Sequence, residues 1–180
     1  WERVLQNGFD DSSNKCGLST EMFDGHLYVG TYNSNFTNPT CDLLRTADGE
    51  VWTRVTDDGF NSSKCYALSS LRAFGNHLYA GLGLGDPGGQ IWRCPKDSGC
   101  DEESDWEKVI DNGFDNPANI NFVSLIVLDD HLYAISSNRE TGLTILCTAD
   151  GENWEKVVSG GLGDSNNFTT FWGNSVTIFD

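Results

Sequence analysis

Short hydrophobic runs, separated by turns rich in Gly, Asn and Asp, extend along the whole chain. Within these runs hydrophobic and polar positions alternate with a period of two, which is typical of half-buried β-strands. Turns such as Ala47-Asp48-Gly49 favour tight hairpins between the strands. The pattern therefore predicts an all-β protein and excludes repeats built from helices.

The same series of four predicted strands occurs three times. The first strand is apolar, as in 68–74 and 123–128, and the second begins His-Leu-Tyr. The third reads Leu-Leu-Arg-Thr or Thr-Ile-Leu-Cys, and the fourth reads Trp-x-[Arg/Lys]-Val. Four antiparallel strands that recur at about 50 residues are typical of a β-propeller blade. We place the blades at residues 16–60, 65–114 and 120–162.

The two ends of the chain match incomplete parts of this repeat. Residues 1–9 match the end of a unit, and residues 168–180 match the beginning of one. The sequence thus predicts about 3.5 blades in a single propeller or part-propeller domain, 1–180, whose terminal strands complete a shared blade. Three arrangements stay open: a small four-bladed ring, two copies that complete each other as a homo-oligomer, or a piece of a longer polypeptide. A start at Trp1, without Met or an apolar leader, indicates a processed or incomplete chain.

Two of the predicted hairpins share one sequence. Thr46-Ala-Asp-Gly-Glu-Val-Trp52 returns as Thr148-Ala-Asp-Gly-Glu-Asn-Trp154. This hairpin resembles the Asp-box, or BNR, hairpin of sialidase-like propellers, with a spacing that differs by one residue. In the second unit the loop 94–100 replaces it. The larger frame, which reads W-x-x-V, then Gly-Phe, a polar loop and a Leu-Tyr strand, also resembles repeats of secreted propellers with no assigned activity. This resemblance covers nearly the whole chain and implies the fold, but Asp-boxes are structural turns and do not assign a function.

Charge and cysteine usage indicate an extracellular protein. The net charge of −16 argues against a nucleic-acid partner, and the hydrophobic runs are too short for membrane insertion. Six cysteines without paired CxxC spacing favour disulfides over a zinc site. Cys94 and Cys100 bracket a short loop and are predicted to pair, whereas the pairing of the others stays open: Cys16, Cys41, Cys65 and Cys147. Three sequons add candidate sites for glycosylation, at Asn35, Asn61 and Asn167.

Candidate ligand-binding residues come from positions that break the repeat or that lie in polar loops. Trp92 and Trp172 depart from the repeat and are candidates for stacking on a sugar, and Asn119 and Asn166 lie in polar loops between units. The same loops contain carboxylates that suit calcium, the one cofactor we consider: Asp10, Asp11, Asp115 and Asp164. Asp and Asn side chains equally stabilise turns by bonding their own backbone.

The sequence contains no catalytic motif such as G-x-S-x-G or H-E-x-x-H, and its arginines are dispersed. We therefore expect a secreted, non-catalytic recognition or assembly module that binds carbohydrate or a protein surface in the manner of a lectin. A structural subunit completed by strand sharing between chains is one alternative. A sialidase-like glycoside hydrolase, which would need two facing carboxylates, is the other.

Overall fold

The computed structural model describes residues 7–35, 37–62 and 64–168, and nearly all of its regular structure is β. The strands fall into three successive groups of four, which we call units 1, 2 and 3. Unit 1 contains β1 (Asn14–Phe23), β2 (His26–Asn33), β3 (Leu43–Thr46) and β4 (Thr53–Thr56). Unit 2 contains β5 (Cys65–Phe74), β6 (His77–Leu84), β7 (Gln90–Pro95) and β8 (Glu107–Ile110). Unit 3 contains β9 (Asn121–Leu128), β10 (His131–Ser137), β11 (Thr144–Thr148) and β12 (Glu155–Val158).

Helical structure among the described residues is limited to short turns. Two 3₁₀ turns span Lys96–Ser98 and Glu103–Asp105. The four-residue turns Asn112–Asp115 and Gly160–Gly163 are left-handed, since φ is positive at every one of their residues. The all-β prediction is confirmed. The first strands of units 2 and 3 begin earlier than the hydrophobic runs indicate, at Cys65 and Asn121, because their pairing with β6 and β10 extends to these residues.

The strands of each unit form an antiparallel meander, and the first strand of units 2 and 3 lies beside the first and second strands of the preceding unit. Residue pairs Tyr32–Ala67 and Gly83–Asn121 link one unit to the next. Two serine hydroxyls reinforce the junctions: Ser19 Oγ donates to Leu68 O at 2.8 Å, and the equivalent Ser70 Oγ donates to the first strand of unit 3, also at 2.8 Å. This side-by-side arrangement is the propeller-like fold that the repeat predicts. Most of the predicted shared blade lies outside the described residues, so its closure stays a prediction.

The hydrophobic core is divided between the two junctions. One cluster lies between units 1 and 2 and includes Phe23, Leu43, Leu68 and Leu78. The other lies between units 2 and 3 and is built around Phe122. Because each unit buries one apolar face against its neighbour, the same hydrophobic positions recur in every repeat.

Units 1 and 2 each contact, through an arginine, the connection between the third and fourth strands of the next unit. Arg45 Nη1 donates to Gly99 O at 2.6 Å, and the repeat-equivalent Arg93 Nη1 donates to Gly151 O at 3.0 Å. The equivalent carbonyl of unit 1 belongs to Gly49. It accepts a hydrogen bond from Trp52 Nε1 of the same unit at 3.2 Å. Recurring Arg and Tyr residues in these strands therefore connect blades, which explains their periodic spacing.

Two disulfides connect loops to the sheet. Cys94 and Cys100 close the loop that replaces the Asp-box hairpin in unit 2. Cys41 pairs with Cys65 and so ties a loop of unit 1 to the first strand of unit 2. Cys16 and Cys147 are free thiols.

No helix within the described ranges has the length and apolar character that a membrane span requires.

Candidate functional site

The site with the most varied chemistry is a groove between units 1 and 2, which we call the Trp92 groove. It encloses about 410 Å³. Its walls are the loop after β4 with Phe60, Asn61 and Ser62, the loop after β6, and the adjoining ends of β7 and β8. Loops at one end of a rigid sheet often carry binding residues, since they vary without disturbing the core.

Trp92 forms one wall of the groove, and its indole contacts Phe60, Lys108 and Gln90. The ring stacks on Phe60 with centroids 4.9 Å apart and planes inclined by 23°. The Lys108 ammonium lies 5.6 Å from the ring centroid, within the range of a cation–π contact. The indole Nε1 donates to Gln90 Oε1 at 2.9 Å. These three contacts fix the orientation of the indole in the groove wall.

A row of hydrogen bonds runs beside the indole and ends on Asp111. Ser62 Oγ donates to Gln90 Oε1 at 2.6 Å, and Gln90 Nε2 donates to Asp111 Oδ1 at 2.9 Å. Lys108 Nζ lies 3.0 Å from the other carboxylate oxygen of Asp111. The row fixes the carboxylate in the wall of the groove.

The environment of Asp111 keeps it ionised. Partial burial acts to raise its pKa, but hydrogen bonds from Lys108, Gln90 and the Asn112 backbone outweigh burial and lower the pKa below the ordinary value. An ionised carboxylate accepts hydrogen bonds from sugar hydroxyls and acts as a base or nucleophile, but it does not act as a general acid at neutral pH. Asp111 is the one carboxylate among the described residues that line this groove.

A repeat-equivalent cavity of about 310 Å³ lies on unit 1, against Phe9, Trp52 and Arg54. Arg54 is already engaged there, since its Nε lies 3.3 Å from Asp42 Oδ2. Asp42 is buried, with 2% of its side chain exposed, and this burial raises its pKa to about 6 despite the nearby guanidinium. Asn14 Nδ2 also donates to that carboxylate, at 2.9 Å. The carboxyl is therefore held inside the fold and does not face the cavity.

The structure places the predicted ligand-binding residues apart from one another. Trp92 lies in the groove, whereas Asn119 is fully buried. Asn119 Nδ2 donates to Gly113 O at 2.8 Å, and its Oδ1 accepts from Ser136 Oγ at 3.0 Å, so its amide is used by the fold. Asn166 is exposed and bonds Asp164. Trp172 lies outside the described residues.

The predicted calcium ligands lie in three separate loops. Asp11 accepts from the Ser13 backbone and from Asn33 Nδ2, and Asp164 accepts from the Asn166 backbone. Asp10 and Asp115 are exposed. Within 7–35, 37–62 and 64–168, no three His, Cys, Asp or Glu side chains are grouped closely enough to hold a metal ion. The calcium site stays a prediction.

Sequence reasoning missed Gln90, Lys108 and Asp111 as members of one site. The signal was present in the repeat, because Gln90 is the first residue of β7, the strand in which Trp92 replaces the Leu of units 1 and 3. The role of Asp111 was not recognisable in the sequence, since an Asp at the end of the fourth strand is equally typical of a turn.

Solved structures that resemble this chain include glycoside hydrolases. No protein-family model and no curated protein sequence matches the chain. The catalytic domain of a GH62 α-L-arabinofuranosidase from Coprinopsis cinerea superposes with a TM-score of 0.56 at 13% identity, covering 88% of this chain and 54% of that one. The α-L-arabinofuranosidase PaAbf62A from Podospora anserina, solved with cellotriose, gives 0.52 at 11% identity over 77% and 48%. The family 117 glycoside hydrolase Zg3597 from Zobellia galactanivorans gives 0.50 at 11% identity over 78% and 44%.

These likenesses establish a propeller-like fold, and the chain spans about half of the length of each of the three proteins. They also overturn the expectation of a non-catalytic recognition or assembly module. The three proteins named above are glycoside hydrolases, so the comparison favours the sialidase-like hydrolase alternative over the lectin-like interpretation.

Proposed function

We propose that this chain is part of a glycoside hydrolase and that the Trp92 groove binds its carbohydrate substrate. The observation that carries the proposal is the fixed, ionised carboxylate of Asp111 beside an aromatic wall. Sugar-binding sites commonly combine apolar surface with a few oriented polar groups. The fold shared with arabinofuranosidases supports the reaction class but does not by itself assign it.

Hydrolysis of a glycosidic bond requires two carboxyl groups, one acting as general acid and the other as base or nucleophile. Asp111 suits the second role, because its pKa is lowered. Glu103 is the candidate for the general acid, because it is hydrogen-bonded to a residue of the groove wall. Its Oε1 accepts from Asn61 Nδ2 at 2.6 Å. Glu103 also accepts from Thr56 Oγ1 at 2.9 Å, so both of its oxygens are oriented by unit 1.

The proposed setting is extracellular. Two disulfides support it, since such bonds persist in oxidising compartments. The Asp-box resemblance is supported by the hairpin geometry: Asp48 Oδ1 accepts from the backbone of Val51 at 2.9 Å, and Asp150 Oδ1 accepts from that of Asn153 at 2.8 Å. We regard these hairpins as structural turns that present no substrate contact.

The test is hydrolysis by the purified chain of aryl glycosides, with α-L-arabinofuranosides and β-D-xylosides first, and of oligosaccharides that carry the same linkages. We expect Asp111→Asn to reduce kcat/KM by roughly 100-fold or more, because removal of a catalytic carboxylate typically costs this much. Glu103→Gln should reduce it most for substrates with poor leaving groups, which depend on the general acid.

Asp115→Asn is the matched control, since Asp115 is an exposed carboxylate that does not line the groove. Its kcat/KM should equal that of the unmodified chain. The proposal is refuted if no glycoside is hydrolysed, or if a hydrolysis rate is unaffected by Asp111→Asn.

A further inference from the structure

The cavity on unit 1 contains an aromatic corner. Its apolar lining consists of Phe9, Leu44 and Trp52. The rings of Phe9 and Trp52 have centroids 5.5 Å apart and planes inclined by 65°, so they form two walls that meet at an angle. Both rings are half-buried, and each therefore keeps part of its surface open to the cavity. We call this cavity of about 310 Å³ the Trp52 corner.

Comparison with unit 2 explains why the space in the corner is open. Phe60 and Trp92 are the repeat-equivalents of Phe9 and Leu44. In unit 2 the indole of Trp92 stacks on Phe60 with centroids 4.9 Å apart, and the Lys108 ammonium lies 5.6 Å from the centroid of that indole. Because Leu44 has no ring, the space that an indole fills beside Phe60 is left beside Phe9. The repeat thus shows an ammonium group against the aromatic wall of the equivalent groove.

The equivalent cation of unit 1 is engaged elsewhere. Arg54 takes the position of Lys108, but its Nε lies 3.3 Å from Asp42 Oδ2, and its Nη2 donates to the backbone carbonyl of Phe9. The buried carboxylate of Asp42 offsets the charge of the guanidinium. Arg54 therefore does not take the place over an aromatic ring that Lys108 takes in unit 2.

Two further carboxylates give the corner an excess of negative charge. Asp10 and Glu50 line the cavity and are exposed. Glu152, the repeat-equivalent of Glu50, lies 3.4 Å from Arg93 Nη2, whereas Glu50 forms no ion pair with a residue in the part of the chain that the structure describes. Aromatic rings present a negative face to a cation. The rings and the carboxylates therefore favour the same kind of ligand.

We propose that the Trp52 corner binds an organic ammonium ion. Its alkyl groups contact Leu44 and the two rings, and its charge is attracted by the ring faces and by the carboxylates of Asp10 and Glu50. The net charge of −16 adds a long-range attraction for cations. The site is independent of the hydrolase proposal, because the Trp52 corner and the Trp92 groove have no lining residue in common.

The test is an NMR titration of the full chain with ¹⁵N-labelled tryptophan, with choline as the probe. Dimethylbutanol, the uncharged carbon isostere of choline, is the matched control ligand. The indole signal of Trp52 is assigned by its loss in Trp52→Leu. We expect choline to shift this signal, and dimethylbutanol to require a concentration at least about 5-fold higher, since the cation–π contribution is absent. No shift of the Trp52 signal with choline overturns the proposal, and so does an equal response to both compounds.

Variants then separate the charge of the corner from its shape. The double substitution Asp10→Asn with Glu50→Gln changes only exposed side chains and should weaken choline binding by about 3-fold or more. Glu152→Gln is the matched control and should leave the affinity unchanged. Leu44→Trp places in unit 1 the indole that fills the space in unit 2, and it should abolish the shift. Unchanged choline affinity in the double variant contradicts the proposal, whether or not Leu44→Trp folds.

Discussion

Substitution of Gly151 by Ala tests whether unit 2 packs against the hairpin of unit 3. A Cβ at Gly151 would lie 1.9 Å from Tyr79 Oη, and Tyr79 is itself 1% exposed and hydrogen-bonded to Arg93. Gly49 occupies the same place in the hairpin of unit 1, with a φ of 80° against 78° at Gly151. No atom lies within 4 Å of a Cβ built there. The two glycines therefore share their backbone conformation and differ in their surroundings.

Both substitutions incur the cost of placing a side chain in the left-handed region, about 1–2 kcal/mol. Only Gly151→Ala must also displace a buried tyrosine, and overpacking of this kind typically adds about 1–3 kcal/mol. We therefore expect Gly49→Ala to lower the free energy of unfolding by about 1–2 kcal/mol and Gly151→Ala by about 2–5 kcal/mol. Urea unfolding followed by tryptophan fluorescence measures the free energy of unfolding of both variants. Equal losses, or a larger loss at Gly49, would refute an inter-unit contact at this hairpin.

Three further predictions concern stability. Asn119→Ala removes the hydrogen bonds of a buried amide and should cost about 2–4 kcal/mol, whereas Ala at the exposed Asn38 should cost under about 0.5 kcal/mol, both by urea unfolding. Burial raises the pKa of Asp42 from 3.8 to about 6, so the native state binds a proton that the unfolded state has released. From about pH 4 to about pH 7 the chain should then lose about 2.4 kcal/mol of stability relative to Asp42→Asn, and a gain over this interval would show that the sign is wrong. Replacing Cys41 and Cys65 by Ser, across a separation of 24 residues, should lower stability by about 3.5 kcal/mol. The same change at Cys94 and Cys100, 6 residues apart, should cost about 2.4 kcal/mol, and the reverse order in calorimetry would contradict the loop-length argument.

The fold was predictable because its information is local and repeated. Alternation identifies a strand, Asp-Gly identifies a hairpin, and the recurrence of both identifies a blade, none of which requires knowledge of distant contacts. The short loop 94–100 likewise indicated its own disulfide, since the two cysteines are close in the chain. Strand beginnings were less accurate, because pairing partners extend β5 beyond its hydrophobic run to Cys65.

The candidate site was mostly beyond sequence reasoning, because it is assembled from different units. Phe60 belongs to the loop that ends unit 1, and Trp92 and Asp111 belong to unit 2. Asn119 shows the opposite error: an Asn in a polar loop suggested a ligand contact, whereas its amide is fully buried and bonded to Gly113. Polarity along the chain does not reveal whether a side chain faces solvent or the backbone of its own loop.

By itself, the sequence determined the β-strands, the turns and the number of repeated units, since these depend on neighbours a few residues away. Only the tertiary structure decided which side chains from different units meet. It buried Asn119, paired Cys41 with Cys65, and set Asp111 beside Trp92, because packing one blade against the next brings together residues whose separation along the chain carries no signal.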